Sequence, residues 1–120
     1  LSAACKKADF NSLIDLREQE LRRAAQEKIP QLVREYSDIM ELKPTSVKIT
    51  SAKSRFGSCS AKNGLCFSWR LMAYPEEAVR YVVVHELAHI AQHNHSPAFY
   101  AVVKKYMPDY KERQKLLKNI

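Results

Sequence analysis

The chain has 120 residues, of which 46% are hydrophobic and 28% are charged, and its formal net charge is +7. These values are ordinary for a soluble globular protein, and the length suffices for one hydrophobic core. No apolar run approaches the roughly 20 residues that a membrane span needs. The first ten residues lack the cationic and apolar segments of a signal peptide. The sequence therefore predicts a single non-membrane domain over residues 1–120.

The cysteines are Cys5, Cys59 and Cys66, an odd number without CxxC spacing. This pattern argues against a disulfide framework and against a zinc site built from cysteine. We interpret them as small buried apolar groups in a reducing environment, which predicts a cytoplasmic protein. A Cys59–Cys66 bridge across a hairpin is the alternative.

The positive charge is concentrated in one stretch. No acid lies between Leu42 and Pro75, and the basic residues there are Lys43, Lys48, Lys53, Arg55, Lys62 and Arg70. The favoured interpretation is a solvated basic face. The alternative is a surface for an anionic partner, nucleic acid included, to which the C-terminal lysines and arginine would add.

Two helices are predicted at the N-terminus. Apolar residues recur at helical spacing from Asp9 to about Lys28, namely Phe10, Leu13, Ile14, Leu16 and Leu21. A second helix is expected to begin at Pro30, because proline suits a first helical turn. It would end at Lys43-Pro44, since the residue before a proline avoids the α region.

Strands are predicted in the middle of the chain. Val47 and Ile49 alternate with polar neighbours, which indicates a strand. Asn63-Gly64 is a turn signal. The next alternation is typical of a second strand with one buried face, and its apolar members are Leu65, Phe67, Trp69 and Leu71. Together they predict a small antiparallel sheet.

Helices return in the last third. Pro75-Glu76-Glu77 is expected to open a third helix, which is apolar nearly all round and therefore central and buried. Ser96 is the expected N-cap of a fourth helix, and Pro108-Asp109 precedes a last, basic one. The order of elements predicts an α+β fold with N-terminal helices (about 1–42), a small sheet (43–74) and further helices (75–120).

All four histidines lie in HELAHIAQHNH, residues 85–95. On a helix, His85 and His89 project from the same face, about 6 Å apart along the axis, so both can bind one zinc ion. Glu86 is rotated by about 100° and can reach a metal-bound water. This is the His-Glu-x-x-His pattern, in which the glutamate is the general base of a metallopeptidase. Burying these polar groups on an apolar helix is costly unless they are paired or bind metal.

A third ligand is expected, because a catalytic zinc usually has three protein ligands and one open position. His93 would lie about 12 Å from His85 along a straight helix, which is too far. His95 is favoured, since Asn94 can adopt the left-handed conformation and Ser96-Pro97 starts a new helix. Glu112, from a later helix, is the alternative.

Four segments carry a resemblance to a known family: KSRFGSCS (53–60), SWRLM (68–72) after the turn, YVVVHELAHI (81–90) and HNHSPAFY (93–100). Together they resemble the YgjP-like metallopeptidase domains, relatives of SprT-like and WLM zinc peptidases. The resemblance extends more loosely from about residue 20 to Tyr110. It implies a zincin-like fold in which the small sheet packs on the helix of His85 and His89, with one zinc ion per chain.

The resemblance also implies roles for single residues: His85, His89 and His95 as zinc ligands and Glu86 as catalytic base. Two departures concern packing, because Phe56 and Tyr100 stand where the family often has tryptophan. The implied activity is hydrolysis of a peptide bond in a peptide or protein. SprT-like relatives act on proteins attached to DNA, which links this activity to the basic stretch by analogy alone.

Other residues are candidates for holding the developing oxyanion or the substrate. They are Arg55, His93, Tyr100 and Tyr106. Arg55 is an equal candidate for a structural ion pair. The strand at 65–71 is predicted to pair with an extended substrate. The alternative function is a nucleic-acid-binding module in which zinc is structural, and a third is an inactive scaffold.

Overall fold

The computed structural model describes residues 3–118, with side chains described for residues 16–117. Within that range the chain forms four α-helices, three β-strands and one 3₁₀ helix. In chain order they are α1 (Ala3–Met40), β1 (Ser46–Thr50), β2 (Gly57–Cys59), β3 (Gly64–Ser68), the 3₁₀ helix (Trp69–Ala73), α2 (Glu76–Ala91), α3 (Pro97–Tyr106) and α4 (Tyr110–Lys118).

The N-terminal region is one helix, so the predicted break before Pro30 is wrong. Proline inside a helix removes a hydrogen bond and costs about 3 kcal/mol. The helix continues because Ile29 and Leu32, on either side of the proline, are buried in the core. Leu16, counted in the predicted apolar face, is 55% exposed. The side chains of Phe10, Leu13 and Ile14 lie outside the described residues.

Helix α1 ends before the predicted Lys43-Pro44 boundary. Glu41 has a φ of 56°, and the N–H of Leu42 donates to the carbonyl of Ser37 at 3.2 Å. A left-handed residue followed by such a bond is a common helix ending. It turns the chain into β1.

The sheet is mixed, so the predicted all-antiparallel arrangement is wrong for one of its two pairs. β3 is the central strand, in the order β1-β3-β2. β2 and β3 are antiparallel and joined by the expected turn, with Asn63 at φ 66°. β1 runs parallel to β3. A parallel pair needs a long crossover, and residues 51–63, which include β2, supply it.

β3 is shorter than predicted, because Trp69 and Leu71 lie in the 3₁₀ helix. Ser68 causes the change: its Oγ accepts a hydrogen bond from the N–H of Arg70 at 3.2 Å and donates to the carbonyl of Ala52 at 2.8 Å. Both Trp69 and Leu71 are still buried. The apolar alternation therefore predicted the burial of these two residues correctly, but it was wrong to place them in a strand.

Cys59 and Cys66 carry free thiols. Cys59 is opposite Leu65 in the β2–β3 register, one position from Cys66. Neighbouring positions of a strand point to opposite faces, so the two thiols lie on different sides of the sheet. Cys5 lies outside the described side chains.

α2 is the central element, as predicted. α1, β2, the 3₁₀ helix, α3 and α4 all pack against it. Its first turn carries Glu76 and Glu77, and most of its side chains are buried on every side. In the described part of the chain, no helix combines the length and apolar character needed to cross a bilayer.

The segment between α2 and α3 turns sharply, although the predicted left-handed Asn94 is wrong. Among described non-glycine residues only Glu41 and Asn63 have positive φ. The turn starts instead at Gln92, where α2 ends with φ −139° and ψ 101°. As expected, Ser96 caps α3, its Oγ accepting from the N–H of Phe99 at 3.3 Å.

Candidate metal centre

Three histidines meet at one end of α2. His85 and His89 lie one turn apart, so their rings leave the same side of the helix. The turn after α2 returns His95 to them. The Nε2 atom of His95 lies 3.1 Å from that of His89 and 3.4 Å from that of His85.

These separations fit a tetrahedral metal ion. Nitrogen ligands at about 2.0–2.1 Å from a tetrahedral zinc lie about 3.3 Å from one another. The two distances from the Nε2 atom of His95, 3.1 Å and 3.4 Å, bracket this value. Among the described residues, only these three histidines form such a group. Three protein ligands leave one coordination position open, as in catalytic zinc sites.

Two further contacts orient the rings. Nδ1 of His89 lies 3.1 Å from the carbonyl oxygen of Gln92, which can only accept a hydrogen bond. Nδ1 therefore carries the hydrogen, and the lone pair of Nε2 faces the other histidines. The Tyr81 hydroxyl lies 3.2 Å from Nδ1 of His85 and can accept in the same way. Such outer partners fix the orientation of histidine ligands.

Phe99 forms the floor of the cluster. Its ring stacks on that of His89, with centroids 4.3 Å apart and planes 16° apart, and meets His85 and His95 edge-on at 5.0 Å and 5.2 Å. Phe99 is fully buried. It comes from α3, whose first residues also carry His95 into place. The rings are thus supported by packing as well as by hydrogen bonds.

Glu86 faces the same cleft as the three histidines, beside Gly57 and Cys59 of β2. It is only 6% exposed. Glycine suits the close approach of β2, because a Cβ at residue 57 would make tight contacts of 3.0 Å with Cγ and 3.2 Å with Oε2 of Glu86. Burial raises the pKa of the Glu86 carboxyl to about 7. A group with this pKa can both take and release a proton near neutrality.

Burial has the opposite effect on the histidines. It lowers the pKa of His85 to about 4, with smaller contributions from His89 and His95. It also lowers the pKa of His89. Both rings are therefore neutral at neutral pH, as metal ligands must be.

The other predicted residues are distributed unevenly. Arg55 and His93 line the cleft of the three histidines. Tyr100 lies beside it, its ring 6.3 Å from that of His95. Tyr106 lies apart, packed on the core with Lys105 over its ring. Glu112, the alternative third ligand, is exposed on α4 and is outside the histidine group.

The strand predicted to pair with substrate is in the wrong place for that role. β3 is hydrogen-bonded on both sides, to β1 and to β2. A central strand has no free edge to offer. β2 is the edge strand beside the metal centre, and Gly57, Ser58 and Cys59 line the cleft.

Three residues of the site were not singled out from the sequence: Tyr81, Phe99 and Gly57. Tyr81 lies four positions before His85, so helical spacing alone would have identified it. Gly57 is one of two glycines in the chain and lies outside a turn, which is a signal for a close backbone approach. We find no sequence signal for the stacking of Phe99 on His89.

The model of the YgjP-like metallopeptidase domain family matches residues 2–120. The chain belongs to this family. It is a metallopeptidase-type hydrolase domain by family, as the sequence segments indicated. No curated protein matches it significantly.

Two solved structures are similar to this YgjP-like domain. The metallopeptidase zymogen abylysin of Pyrococcus abyssi is 25% identical, with a TM-score of 0.68, over 76% of this chain and 92% of that one. The metallopeptidase zymogen jannalysin of Methanocaldococcus jannaschii is 22% identical, with a TM-score of 0.66, over 78% and 97%. The predicted α+β architecture is confirmed as that of metallopeptidases.

Proposed function

We propose that this protein is a zinc-dependent peptidase in which His85, His89 and His95 hold one zinc ion. The observation that carries the proposal is the position of the His95 Nε2 atom, 3.1 Å from that of His89 and 3.4 Å from that of His85. When bound, zinc lowers the pKa of a water molecule toward about 7 and polarises the scissile carbonyl. Zinc is favoured because three neutral imidazoles and an open position suit its catalytic sites.

Glu86 is the proposed general base. Its carboxylate takes a proton from the attacking water and delivers it to the nitrogen of the leaving amine. The surroundings support both steps, because burial brings the pKa of Glu86 close to 7. Gly57 lies close against the side chain, and Glu86 lines the same cleft as the histidines.

Arg55 and His93 are the proposed partners of the developing oxyanion. Both line the cleft with the histidines. Arg55 is exposed and forms no ion pair with any described residue, so its guanidinium can turn toward substrate. Tyr100 lies close enough to contact a longer substrate, whereas Tyr106 packs away from the cleft. The cytoplasmic location and the nucleic-acid partner stay predictions from the sequence.

The test is Glu86→Gln, which keeps the size of the side chain and removes its basicity. We expect hydrolysis of a peptide library to fall by about 10²–10⁴-fold while the zinc content, measured by elemental analysis, stays unchanged. Glu77→Gln is the matched control, since Glu77 is exposed at the far end of the same helix. Full hydrolysis by a zinc-loaded Glu86→Gln protein would remove Glu86 from the mechanism.

A further inference from the structure

Two neighbouring compartments lie along α4, and Glu86 lines the first of them. The first has a volume of about 280 Å³ and lies between β2, α2 and α4. The second has a volume of about 390 Å³ and lies between α3 and α4. Gln114 lines both. Gln114 therefore forms the boundary between the two compartments.

The first compartment is apolar away from the metal centre. Phe56, Val82 and Leu117 form its walls, while His85 and Glu86 stand at one side. Within the described residues, no lysine, arginine or aspartate lines it. It suits an aliphatic or aromatic side chain whose backbone lies at the metal centre.

The second compartment combines aromatic rings with positive charge. Tyr100 and Tyr110 stack with ring centroids 6.0 Å apart. The ring centroid of Tyr100 also lies 6.3 Å from that of His95. Lys111 and Lys115 form its rim. They are four residues apart on α4, so they project from the same face.

No described acid neutralises these two lysines. Neither forms an ion pair with a residue in the range 16–117. Asp109, at the start of α4, is already paired with Arg113 at 3.0 Å. Glu112 is exposed and does not line the compartment. The rim is therefore complementary to a carboxylate.

We propose that this cleft selects peptides in which an apolar side chain is accompanied, two positions along, by a carboxylate. The spacing is that of a substrate bound with extended backbone, in which residues i and i+2 point to the same side about 6.6 Å apart. Leu117 and Gln114 bound the apolar side chain, and Lys111 and Lys115 hold the carboxylate. The inference rests on the proposed peptidase function, and it names the substrate class.

The experiment uses the zinc-loaded full chain and three blocked peptides. Each contains one leucine in a serine–alanine background, with glutamate, glutamine or lysine at both positions two residues from it, so that binding direction does not matter. Cleavage by the wild type is measured together with binding to zinc-loaded Glu86→Gln by fluorescence anisotropy, at low ionic strength. A fourth peptide ends in a free carboxylate two residues after leucine and separates a chain terminus from an acidic side chain.

We expect the glutamate peptide to be preferred over the lysine peptide by about tenfold in binding and in kcat/KM. Lys111→Glu/Lys115→Glu should abolish or invert this preference. The matched control is Lys62→Glu/Lys104→Glu, which changes the net charge equally at exposed positions outside the cleft. It should keep the wild-type preference. Preference for the free-terminus peptide alone also supports the carboxylate site and assigns it to a chain end.

The outcomes separate this inference from the proposed function. Cleavage of all peptides at equal rates would overturn the inference and leave the peptidase standing. Binding of the glutamate peptide that depends on Lys111 and Lys115, without hydrolysis, would overturn the peptidase function and leave the carboxylate site standing. A preference that survives in Lys111→Glu/Lys115→Glu, or no binding of any peptide, overturns the inference. The inference is also overturned if the wild type shows no peptide preference and Lys111→Glu/Lys115→Glu loses binding to an oligonucleotide. That result would assign the two lysines to nucleic acid.

Discussion

Each of the two α2 histidines contacts a hydrogen-bonding group at its outer nitrogen. Gln92 provides a carbonyl for His89, and Tyr81 provides a hydroxyl for His85. Burial raises the pKa of that hydroxyl to about 12, so it stays protonated and neutral. Besides its packing on Phe99, the orientation of His85 thus depends on one side-chain oxygen.

Tyr81→Phe removes that oxygen and keeps the ring. We expect zinc to bind about 10–100-fold more weakly, because outer-shell partners of histidine ligands contribute that much to affinity. Competition with a chromogenic chelator measures the change. Tyr74→Phe is the control, since the ring of Tyr74 packs on Phe56 away from the histidines. Equal zinc affinity of Tyr81→Phe and wild type would show that Phe99 alone holds His85.

The pKa of Glu86 predicts a proton release on metal binding. With a pKa raised to about 7, Glu86 is mostly protonated at pH 6 and mostly ionised at pH 8 in the metal-free chain. A bound cation favours the ionised form. Wild type should therefore release about one proton more than Glu86→Gln at pH 6, and no more than that variant at pH 8.

Calorimetry of zinc binding in two buffers of different ionisation enthalpy gives the number of protons released. His85, with a pKa near 4, is already neutral at pH 6 and adds little. The comparison with Glu86→Gln removes contributions common to both proteins. An equal release from the two proteins at pH 6 would mean that Glu86 does not lose a proton when the metal binds.

At the residue scale, positions that follow from helical spacing could be predicted from the sequence. Contacts that depend on long-range packing could not. His85, Glu86 and His89 are neighbours on one helix, and their relative positions follow from 3.6 residues per turn. Gly57 contacts Glu86 across a gap of 29 residues in the sequence. No local pattern reports how β2 lies on α2.

At the scale of elements, α1 carries a proline that its local sequence preference would exclude. The helix is held by packing on both sides of Pro30, where Ile29 and Val33 are buried. Tertiary burial therefore outweighs the local cost. A similar competition between local pattern and specific contacts explains where β3 ends. The apolar alternation continues through Trp69, but the hydrogen bonds of Ser68 end the strand.

Pro30→Ala tests this account of α1. Alanine restores the missing helical hydrogen bond, so we expect the free energy of unfolding to rise by about 1–2 kcal/mol after allowance for the freer unfolded chain. Chemical denaturation measures it. Gln26→Ala, an exposed position one turn earlier, should change it by less than about 0.5 kcal/mol. A decrease for Pro30→Ala would indicate that the proline ring contributes packing of its own.

At the scale of the whole molecule, most of the core lies outside the metal centre, although Phe99 belongs to both. The fully buried side chains include Leu65, Phe67, Val83 and Leu87, none of which is a proposed ligand. The core joins the sheet and α2 without the histidines. The fold should therefore persist without metal, unlike a small zinc finger.

Removal of zinc by a chelator is expected to lower Tm while the far-ultraviolet circular dichroism at 25 °C stays unchanged. Free zinc at about 1,000 times its Kd stabilises a folded site by about 4 kcal/mol. His95→Ala is the control: its Tm should match that of the metal-free wild type and respond little to added zinc. Loss of the helical signal on chelation would show that the metal is part of the folding nucleus.

The histidine cluster and the position of Glu86 differ in the length of chain that must be ordered to form them. The three histidines lie within eleven residues of sequence, on α2 and the turn that follows it. Closing so short a loop costs little entropy. Glu86 takes its place beside Gly57 only once β2 has docked on α2. Under the proposed function, a partly folded chain is therefore expected to bind zinc before Glu86 is in place to act as the base, so metal loading would precede activity during folding.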